Sequence, residues 1–347
     1  MSKLARKSVL VLHEAIGPDP RPDEVDTLVQ VDGVSQALRA LGWDVSRLET
    51  DLDLGKTLEG VTDASPSCVF NLVESLGGQG SLVHLVPSVL QSARVAFTGC
   101  RGDAMYLSSQ KRLAKHWMRH NDIPTPALLD LDEDADNEPA WIVKSLWEHA
   151  SFGLDDGCVV TGASAARLRM ADSAARLGGE WFAEEYIDGR EFNISILEIN
   201  GQPRVLPIAE IAFVDYPRDK PRIVGYAAKW DEQAPEYGAT RRIFPALSRS
   251  IQSRLKLLAN KCWSAFSLNG YARVDIRLDS AGHPWVLEIN ANPCLSGDAG
   301  FAAAALEANI SYRQLIERIV QTALRPHTEQ IRRSIVHDAR AQMTTLA

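Results

Sequence analysis

Apolar positions in the first hundred residues switch between two spacings. Residues 8–12 (Ser-Val-Leu-Val-Leu) form an almost unbroken apolar run, the mark of a strand covered on both faces. Over 32–41, Val34, Ala37, Leu38 and Leu41 recur three and four apart, which predicts a helix stopped by Gly42. Strands are predicted over 43–48, 68–72 and 94–98, and a further helix over 82–91. Strand and helix in alternation predict a βαβ series with a mostly parallel sheet, where ligands gather at the carboxyl ends of the strands. Glu14 and the loop 74–80 both fall at such ends.

Beyond residue 105 the pattern changes. Ser108 reads as the cap of a helix running to about 121, ended by Pro124 and Pro126. Strands over 140–144, 158–161 and 180–186, with a helix over 163–177 stopped by Gly178-Gly179, predict a small α+β unit. Ile187-Asp188-Gly189-Arg190 leads into another strand over 191–198. The last unit closes with two alternating apolar strands within 271–298 and a helix over 312–324. The predicted organisation is a βαβ unit over 1–105, a central unit over 106–187, a third over 188–330 and a tail over 331–347.

Composition narrows the function classes. Of 347 residues, 45% are hydrophobic and 24% charged, as in ordinary soluble globular proteins. The net charge of −8, with no like-charge run beyond the acidic stretch 130–138, argues against nucleic acid or an anionic membrane as partner. No stretch approaches the roughly 18 apolar residues of a membrane span. The N-terminus lacks a signal-type apolar region, and the five cysteines are scattered without paired spacing. Together these predict a cytoplasmic protein with reduced thiols.

Three apparent motifs drop out on spacing. Leu54-Gly55-Lys56-Thr57 resembles the tail of a P-loop, but Thr50 stands where its first glycine belongs. Gly77-Gly78-Gln79-Gly80 lacks the third glycine of a dinucleotide fingerprint, and His13-Glu14 lacks the second histidine of a zincin.

The hairpin within 271–298 carries more. Asp275 lies inside one apolar strand, Glu288 and Asn290 end the next, and Asp279-Ser280-Ala281-Gly282 turns between them. Acids among Val, Ile and Leu are uncomfortable without a counter-charge. Three hard oxygen donors with no His or Cys suit Mg²⁺; a solvated hairpin with outward acids is the alternative. Upstream, Lys144 ends a buried-looking strand and precedes the small-residue loop 148–153, which can fold over phosphates with its amides. Lys111 lies near a helix start; either lysine taken singly reads as a solvated or snorkelling side chain. Glu184 and Glu185 close a strand with Tyr186-Ile187, and Glu191 follows. A strand edge offers backbone groups to a purine, and a carboxylate nearby can hold ribose hydroxyls.

In that order, these elements resemble the ATP-grasp superfamily, and its D-alanine–D-alanine ligase branch, over nearly the whole chain from Glu14 to Tyr312. Asn71-Leu72-Val73-Glu74 with the glycine loop is similar to the branch's N-domain substrate loop. Phe97-Thr98-Gly99 followed by Ser109-Gln110-Lys111 resembles its first ATP-contacting segment. Ile142-Val143-Lys144 with 148–153 resembles its phosphate-grasping lysine and serine loop, and 182–191 its adenine and ribose segment. Gly225-Tyr226-Ala227-Ala228-Lys229 is similar to its lid segment, which bears another phosphate-contacting lysine. Arg273-Val274-Asp275 with Leu287-Glu288-Ile289-Asn290 matches its oxyanion arginine and metal ligands, and this spacing is highly specific.

The resemblance implies a three-domain ATP-grasp fold, α/β and α+β, using ATP and Mg²⁺ or Mn²⁺. Lys111, Lys144, Ser151, Glu184, Glu185, Ile187, Glu191 and Lys229 would hold the nucleotide, and Asp275, Glu288 and Asn290 the metal. Arg273 and Lys229 would act in catalysis: a carboxylate becomes an acyl phosphate, which an amine then attacks. Glu14, Glu74, Trp230, Cys294 and Ser296 would face the substrates. A homodimer through the N-terminal domain is also implied, and 213–226 reads as a lid that excludes water.

Departures from the branch concentrate on the substrate side. Ala150 replaces a serine that orients the first substrate, and Trp230 a tyrosine coupled to it. Asp298-Ala299 stands where a serine receives the second substrate's carboxylate, and Cys294 replaces a glycine. The expectation is an ATP-dependent carboxylate–amine ligase whose substrates are small, amino-acid-like and not two D-alanines. An authentic D-alanine–D-alanine ligase and a non-catalytic ATP-binding regulator remain alternatives. Arg273 speaks against the regulator, since an oxyanion needs stabilising only during turnover.

Overall fold

In the computed structural model, which describes residues 7–18, 20, 22–130, 139–148, 151–217, 220–231 and 233–325, the chain opens on a parallel sheet. Its elements are β1 (Ser8–Glu14), α1 (Pro22–Ala40), β2 (Asp44–Thr50), α2 (Leu54–Ala64) and β3 (Cys68–Asn71), with strand order β2–β1–β3. β1 is central, and Val9, Leu10, Val11 and Leu12 are all buried, as an apolar run without alternation requires. α1 begins well before the predicted residue 32. Its first turns expose Val25, Leu28 and Val29 while Val31, Val34 and Leu38 are buried, so no single apolar stripe marks its start.

The Leu54-Gly55-Lys56-Thr57 segment is the first turn of α2, capped by Asp53, whose carboxylate accepts the Lys56 amide. α3 (Leu85–Ser92) follows. The strand predicted over 94–98 reduces to one parallel bridge between Val69 and Phe97, because Arg94 turns the backbone to a φ of 57°.

The helix expected from Ser108 to about 121 is two helices, α4 (Gly102–Ser109) and α5 (Lys111–His120). Gln110 breaks them with extended backbone and caps α5, its side chain accepting the Leu113 amide at 2.5 Å. Ser108 is no cap: inside α4 its hydroxyl donates to the Ala104 and Met105 carbonyls. Lys111 is therefore the first residue of α5.

The central unit is an antiparallel sheet, β5–β4–β6, of β4 (Ala140–Ser145), β5 (Val159–Thr161) and β6 (Trp181–Glu185). α6 (Ala163–Leu177) covers one face, where Trp141, Val143, Ala166 and Ala183 pack together. The opposite face presents Ile142, Lys144 and Glu184.

Then come β7 (Arg190–Ile199), β8 (Gln202–Val205), β9 (Ala209–Phe213), α7 (Tyr226–Trp230), α8 (Pro235–Ala239), β10 (Thr240–Ile243), α9 (Arg249–Ala265), β11 (Tyr271–Leu278), β12 (Pro284–Asn290), α10 (Gly300–Glu307) and α11 (Tyr312–Ala323). The strands form an antiparallel sheet, β10–β9–β7–β11–β12, with β8 paired to β7. Alternation sorts its faces. Phe192, Ile194, Val274, Ile276, Val286 and Ile289 are buried in a core shared with α4, α5 and α9. Glu191, Asn193, Arg273, Asp275 and Arg277 fall on the other face. α11, opened by a Ser311–Gln314 capping box, packs against α1 in a core that joins Val31, Val34 and Leu38 to Tyr271, Phe301 and Ile316. No described helix is long and apolar enough to cross a membrane.

Candidate active site

Between the Lys144 face of the central sheet and the polar face of the C-terminal sheet lies a cavity of about 510 Å³. The structure brings together there Glu74, Lys111, Lys144, Ser151, Glu184, Glu185, Ile187, Glu191, Lys229, Trp230, Arg273, Asp275, Glu288, Asn290, Cys294 and Ser296. Of the residues singled out from sequence, Glu14 is left behind the cavity wall. A second depression of about 420 Å³, on the outer side of α6, is remote from these groups.

The hairpin register explains the polar face. Asp275 stands opposite Glu288 on one side and Asn193 on the other; Arg273 faces Asn290, and Arg277 faces Glu191. A bulge follows Asp275. Two carboxylates directly opposite each other repel, so the pair needs a cation. Arg273 supplies one, with Nε and Nη2 donating to Asp275 at 2.8 and 2.9 Å, and Asn193 donates to the same carboxylate at 2.9 Å. Burial opposes the Arg273 charge, but Asp275 outweighs it and raises the guanidinium pKa. Asp275 is 9% exposed, which rules out the solvated hairpin. Arg277 holds Glu191 at 2.7 Å and the Ile187 carbonyl at 2.8 Å, and lies over the Tyr186 ring.

Across the cavity, Glu184 is fully buried between two lysines, Lys144 at 2.7 Å and Lys115 at 2.5 Å. Burial favours its neutral form, yet Lys115 and Lys144 together hold its pKa below the usual carboxylate value. The same carboxylate raises the Lys144 pKa against the effect of burial. Lys111 donates to the Glu148 carbonyl at 2.6 Å. Burial lowers its ammonium pKa, opposed by Glu288. Lys229 reaches solvent through the cavity but is crowded by protein atoms; that desolvation, with Arg273 nearby, also lowers its pKa.

The described part of the segment expected to act as a lid, 220–226, is fastened to the central unit. Ser151 donates to the Val224 carbonyl at 2.7 Å, and the Tyr226 amide donates to the Leu154 carbonyl at 2.9 Å. Ile223 packs with Ile142 and Cys158, while Lys220 pairs with Asp156 at 2.7 Å and with Glu236. Ala150 lies outside the described residues.

Opposite the lysines, the cavity ends on Asp26, Glu74, Arg242, Cys294, Ser296 and Asp298. Cys294 Sγ and Ser296 Oγ both donate to Asp26, at 3.1 and 3.0 Å. Gln30 donates to Glu74 at 2.9 Å and accepts the Leu295 amide at 2.9 Å, which joins α1 to the 294–296 loop. Glu14 is buried beneath, accepting from Thr27 at 3.3 Å and from the Glu74 amide at 3.2 Å. Burial lifts its carboxyl pKa from 4.5 to about 7. It supports Glu74 instead of lining the cavity. Arg242 donates to the Asp298 carbonyl at 3.0 Å.

Sequence reasoning passed over Asp26, Lys115, Asn193, Arg242 and Arg277. Spacing held signals for three: Asn193 and Arg277 lie two residues from Glu191 and Asp275 on the same strand faces, and Lys115 is one helical turn beyond Lys111. Asp26 preceded the predicted helix start, and nothing in the pattern around Arg242 pointed inward.

The donor set suits a hard divalent ion. Asp275, Glu288 and Asn290 offer two carboxylates and an amide oxygen, and the described residues contain no group of three or more His, Cys, Asp or Glu to encage a metal. Mg²⁺ commonly takes one or two carboxylates and leaves its other positions to water and phosphate. The same cavity is lined by Lys111, Lys144 and Lys229, a cation set fitted to phosphates.

Residues 137–321 match the family model described as the D-ala D-ala ligase C-terminus. The uncharacterized protein y4sG of Sinorhizobium fredii is 30% identical over 304 residues, covering 85% of this chain and 87% of that protein. The D-alanine–D-alanine ligase of Desulforudis audaxviator is 27% identical over 300 residues, covering 84% of this chain and 91% of the ligase. A crystal structure of the Bacillus anthracis D-alanine–D-alanine ligase complexed with ATP matches with a TM-score of 0.71 at 19% identity, over 93% of this chain and 99% of that one. That last likeness is one of fold.

Proposed function

We propose, since the chain belongs to the D-alanine–D-alanine ligase family of ATP-grasp proteins, that it uses ATP to join a small carboxylic acid to the amine of an amino-acid-type substrate other than a pair of D-alanines. One observation carries this reading: a single cavity is lined by three lysines, by the carboxylate–amide set Asp275, Glu288 and Asn290, and by Asp26, Glu74 and Arg242.

At the nucleotide end, Lys111, Lys144 and Lys229 would bind phosphate oxygens, with Ser151 and its loop closing over them. Glu185, Ile187 and Glu191 would hold the purine and ribose, and Arg277 keeps Glu191 and the Ile187 carbonyl in place for that task. Asp275, Glu288 and Asn290 would hold Mg²⁺ or Mn²⁺. MgATP, when bound, would supply phosphoryl transfer to one oxygen of the substrate carboxylate with release of ADP, which makes that oxygen part of a phosphate leaving group. Arg273, oriented by Asp275, would then stabilise the oxyanion formed when the amine adds to that carbonyl. The fastened lid segment would keep water from the activated acid.

The substrate end suits an amino-acid-type substrate, and its departure from D-alanine rests on Ala299 and Cys294. Asp26 and Glu74 provide acceptors that an ammonium needs, and Arg242 provides donors for a carboxylate, a pairing suited to a zwitterion. No hydroxyl stands at Ala299, and the Cys294 side chain lines the cavity with its thiol on Asp26.

The test is phosphate release from ATP with amino acids offered singly and in pairs. Strongest turnover with D-alanine alone would overturn the substrate assignment, and no release with any pair would favour a binding protein without ligation. Arg273→Ala should lower turnover by about 10²–10³-fold while nucleotide affinity stays within a few-fold. Parallel loss of both would remove the oxyanion role.

A further inference from the structure

Lys115 lies one helical turn beyond Lys111 on α5, but it does not line the cavity. It is 1% exposed. Its ammonium meets oxygens from two different sheets: Glu184 Oε2 of β6 at 2.5 Å, the Leu287 carbonyl of β12 at 2.8 Å and the Val286 carbonyl at 3.3 Å. The other oxygen of Glu184 holds Lys144, the cavity lysine, at 2.7 Å. Leu287 immediately precedes Glu288 on the metal face. One buried cation thus joins the carboxylate that anchors Lys144 to the strand that carries Glu288.

Burying an ammonium and a carboxylate is unfavourable unless their geometry is good, and a well-packed apolar residue in such a place often stabilises a fold as well or better. Packing alone therefore does not account for Lys115. Its charge leaves Glu184 with two counter-ions, so that Lys144 need not supply the whole neutralisation and keeps donors for an incoming anion. Its bonds to β12 set the distance between the two walls of the cleft. Val286 retains a second donor in Thr125, at 2.7 Å, so the Leu287 carbonyl is the one that depends on Lys115.

We propose that Lys115 is a positioning residue for nucleotide binding, setting Lys144 through Glu184 and Glu288 through the backbone of β12. The proposal rests on the ATP reading above. It is tested on the full chain with the non-hydrolysable analogue AMP-PNP, by calorimetry with and without Mg²⁺, alongside thermal melts. Lys115→Met should stay folded and weaken Mg²⁺–AMP-PNP binding about 10- to 100-fold, the range found when residues orienting a metal site are removed. The gain in affinity that Mg²⁺ brings should shrink, and Lys115→Arg should recover part of the loss. Lys144→Met should cost less affinity in the Lys115→Met background than in the wild type, because Lys115 acts in part through Lys144, by way of Glu184.

A residue that merely fills the core would move the melting temperature and leave these binding terms alone. Binding by folded Lys115→Met within about twofold of wild type, or strict additivity with Lys144→Met, overturns the proposal. If Lys115→Met does not fold, Lys115→Gln takes its place under the same criteria, keeping a donor for Leu287 without the charge. A wild type that binds no AMP-PNP would bring down the ATP reading and this proposal together. Equal binding by wild type and variant would bring down the positioning role alone.

Discussion

Glu14 is a carboxyl group that the fold keeps protonated further up the pH scale than water would. Burial raises its pKa from 4.5 to about 7, against the hydrogen bonds from Thr27 and the Glu74 amide. Between those values the folded chain binds more protons than the unfolded one, so this contribution is fully present below pH 4.5 and is lost as pH rises toward 7. The total change is about 3 kcal/mol. Glu14→Gln should flatten the fall in stability over that window, read as the difference between wild-type and variant denaturation midpoints; parallel pH profiles would contradict it. Legibility from sequence also varies residue by residue. Asp275 and Glu288 stood out because they interrupt apolar alternation, and the register then placed them opposite each other. Glu14 stood out because it falls at the carboxyl end of the first strand, but a strand pattern cannot say whether that end opens onto a cavity or lies under a neighbouring loop. Asp26 and Arg242 sit in polar surroundings, where a functional side chain looks like any other.

Among the elements, β7 shows how little slack the site has. It starts directly after Gly189, where a Cβ would meet the Leu278 carbonyl oxygen at 1.9 Å. Leu278 ends β11 and pairs with Arg190, while the polar-face pairs further inward are Arg277 with Glu191 and Asp275 with Asn193. Gly189→Ala must therefore push two strands apart where they carry the polar face. A loss of roughly 1–3 kcal/mol in stability is expected from such overpacking, together with weaker nucleotide binding through Glu191. Unfolding by denaturant and nucleotide titration check the two parts, and an unchanged affinity would mean that the face absorbs the displacement. β1 to β7, β11, β12 and α6 were legible where periodicity is clean, whereas β8, β9 and β10 went unmarked and the strand expected over 94–98 is a single bridge. The break at Gln110 was not legible, since the residues on both sides favour a helix and only the backbone of Gln110 interrupts it. α2 was missed because it buries only Thr57 and Val61, too few positions to mark an apolar face.

At the scale of the whole molecule, the first and last units of the chain are not separate bodies. β1 and α1 share one core with α10 and α11, where Val9, Val11 and Val34 pack in the same cluster as Phe301, Leu315 and Ile316. Ile316→Ala should destabilise that cluster by about 2–5 kcal/mol. Amide exchange should quicken in β1 as well as in α11; acceleration confined to α11 would show that the two ends unfold independently. Division of the chain at 105 and 187 follows changes in periodicity, and periodicity carries no information about which distant segment completes a core. The substrate end depends on the same closure, because Asp26 and Ser296 meet across a separation of 270 residues.

This closure has a consequence for synthesis. The apolar face of α1 emerges from the ribosome well before α11, which covers it, begins at Tyr312. At about 5–20 residues per second, that face waits on the order of 15–60 s for its partner. During that interval Val31, Val34 and Leu38 are open to other chains, so a nascent chain stalled before α11 is the form most in need of a chaperone.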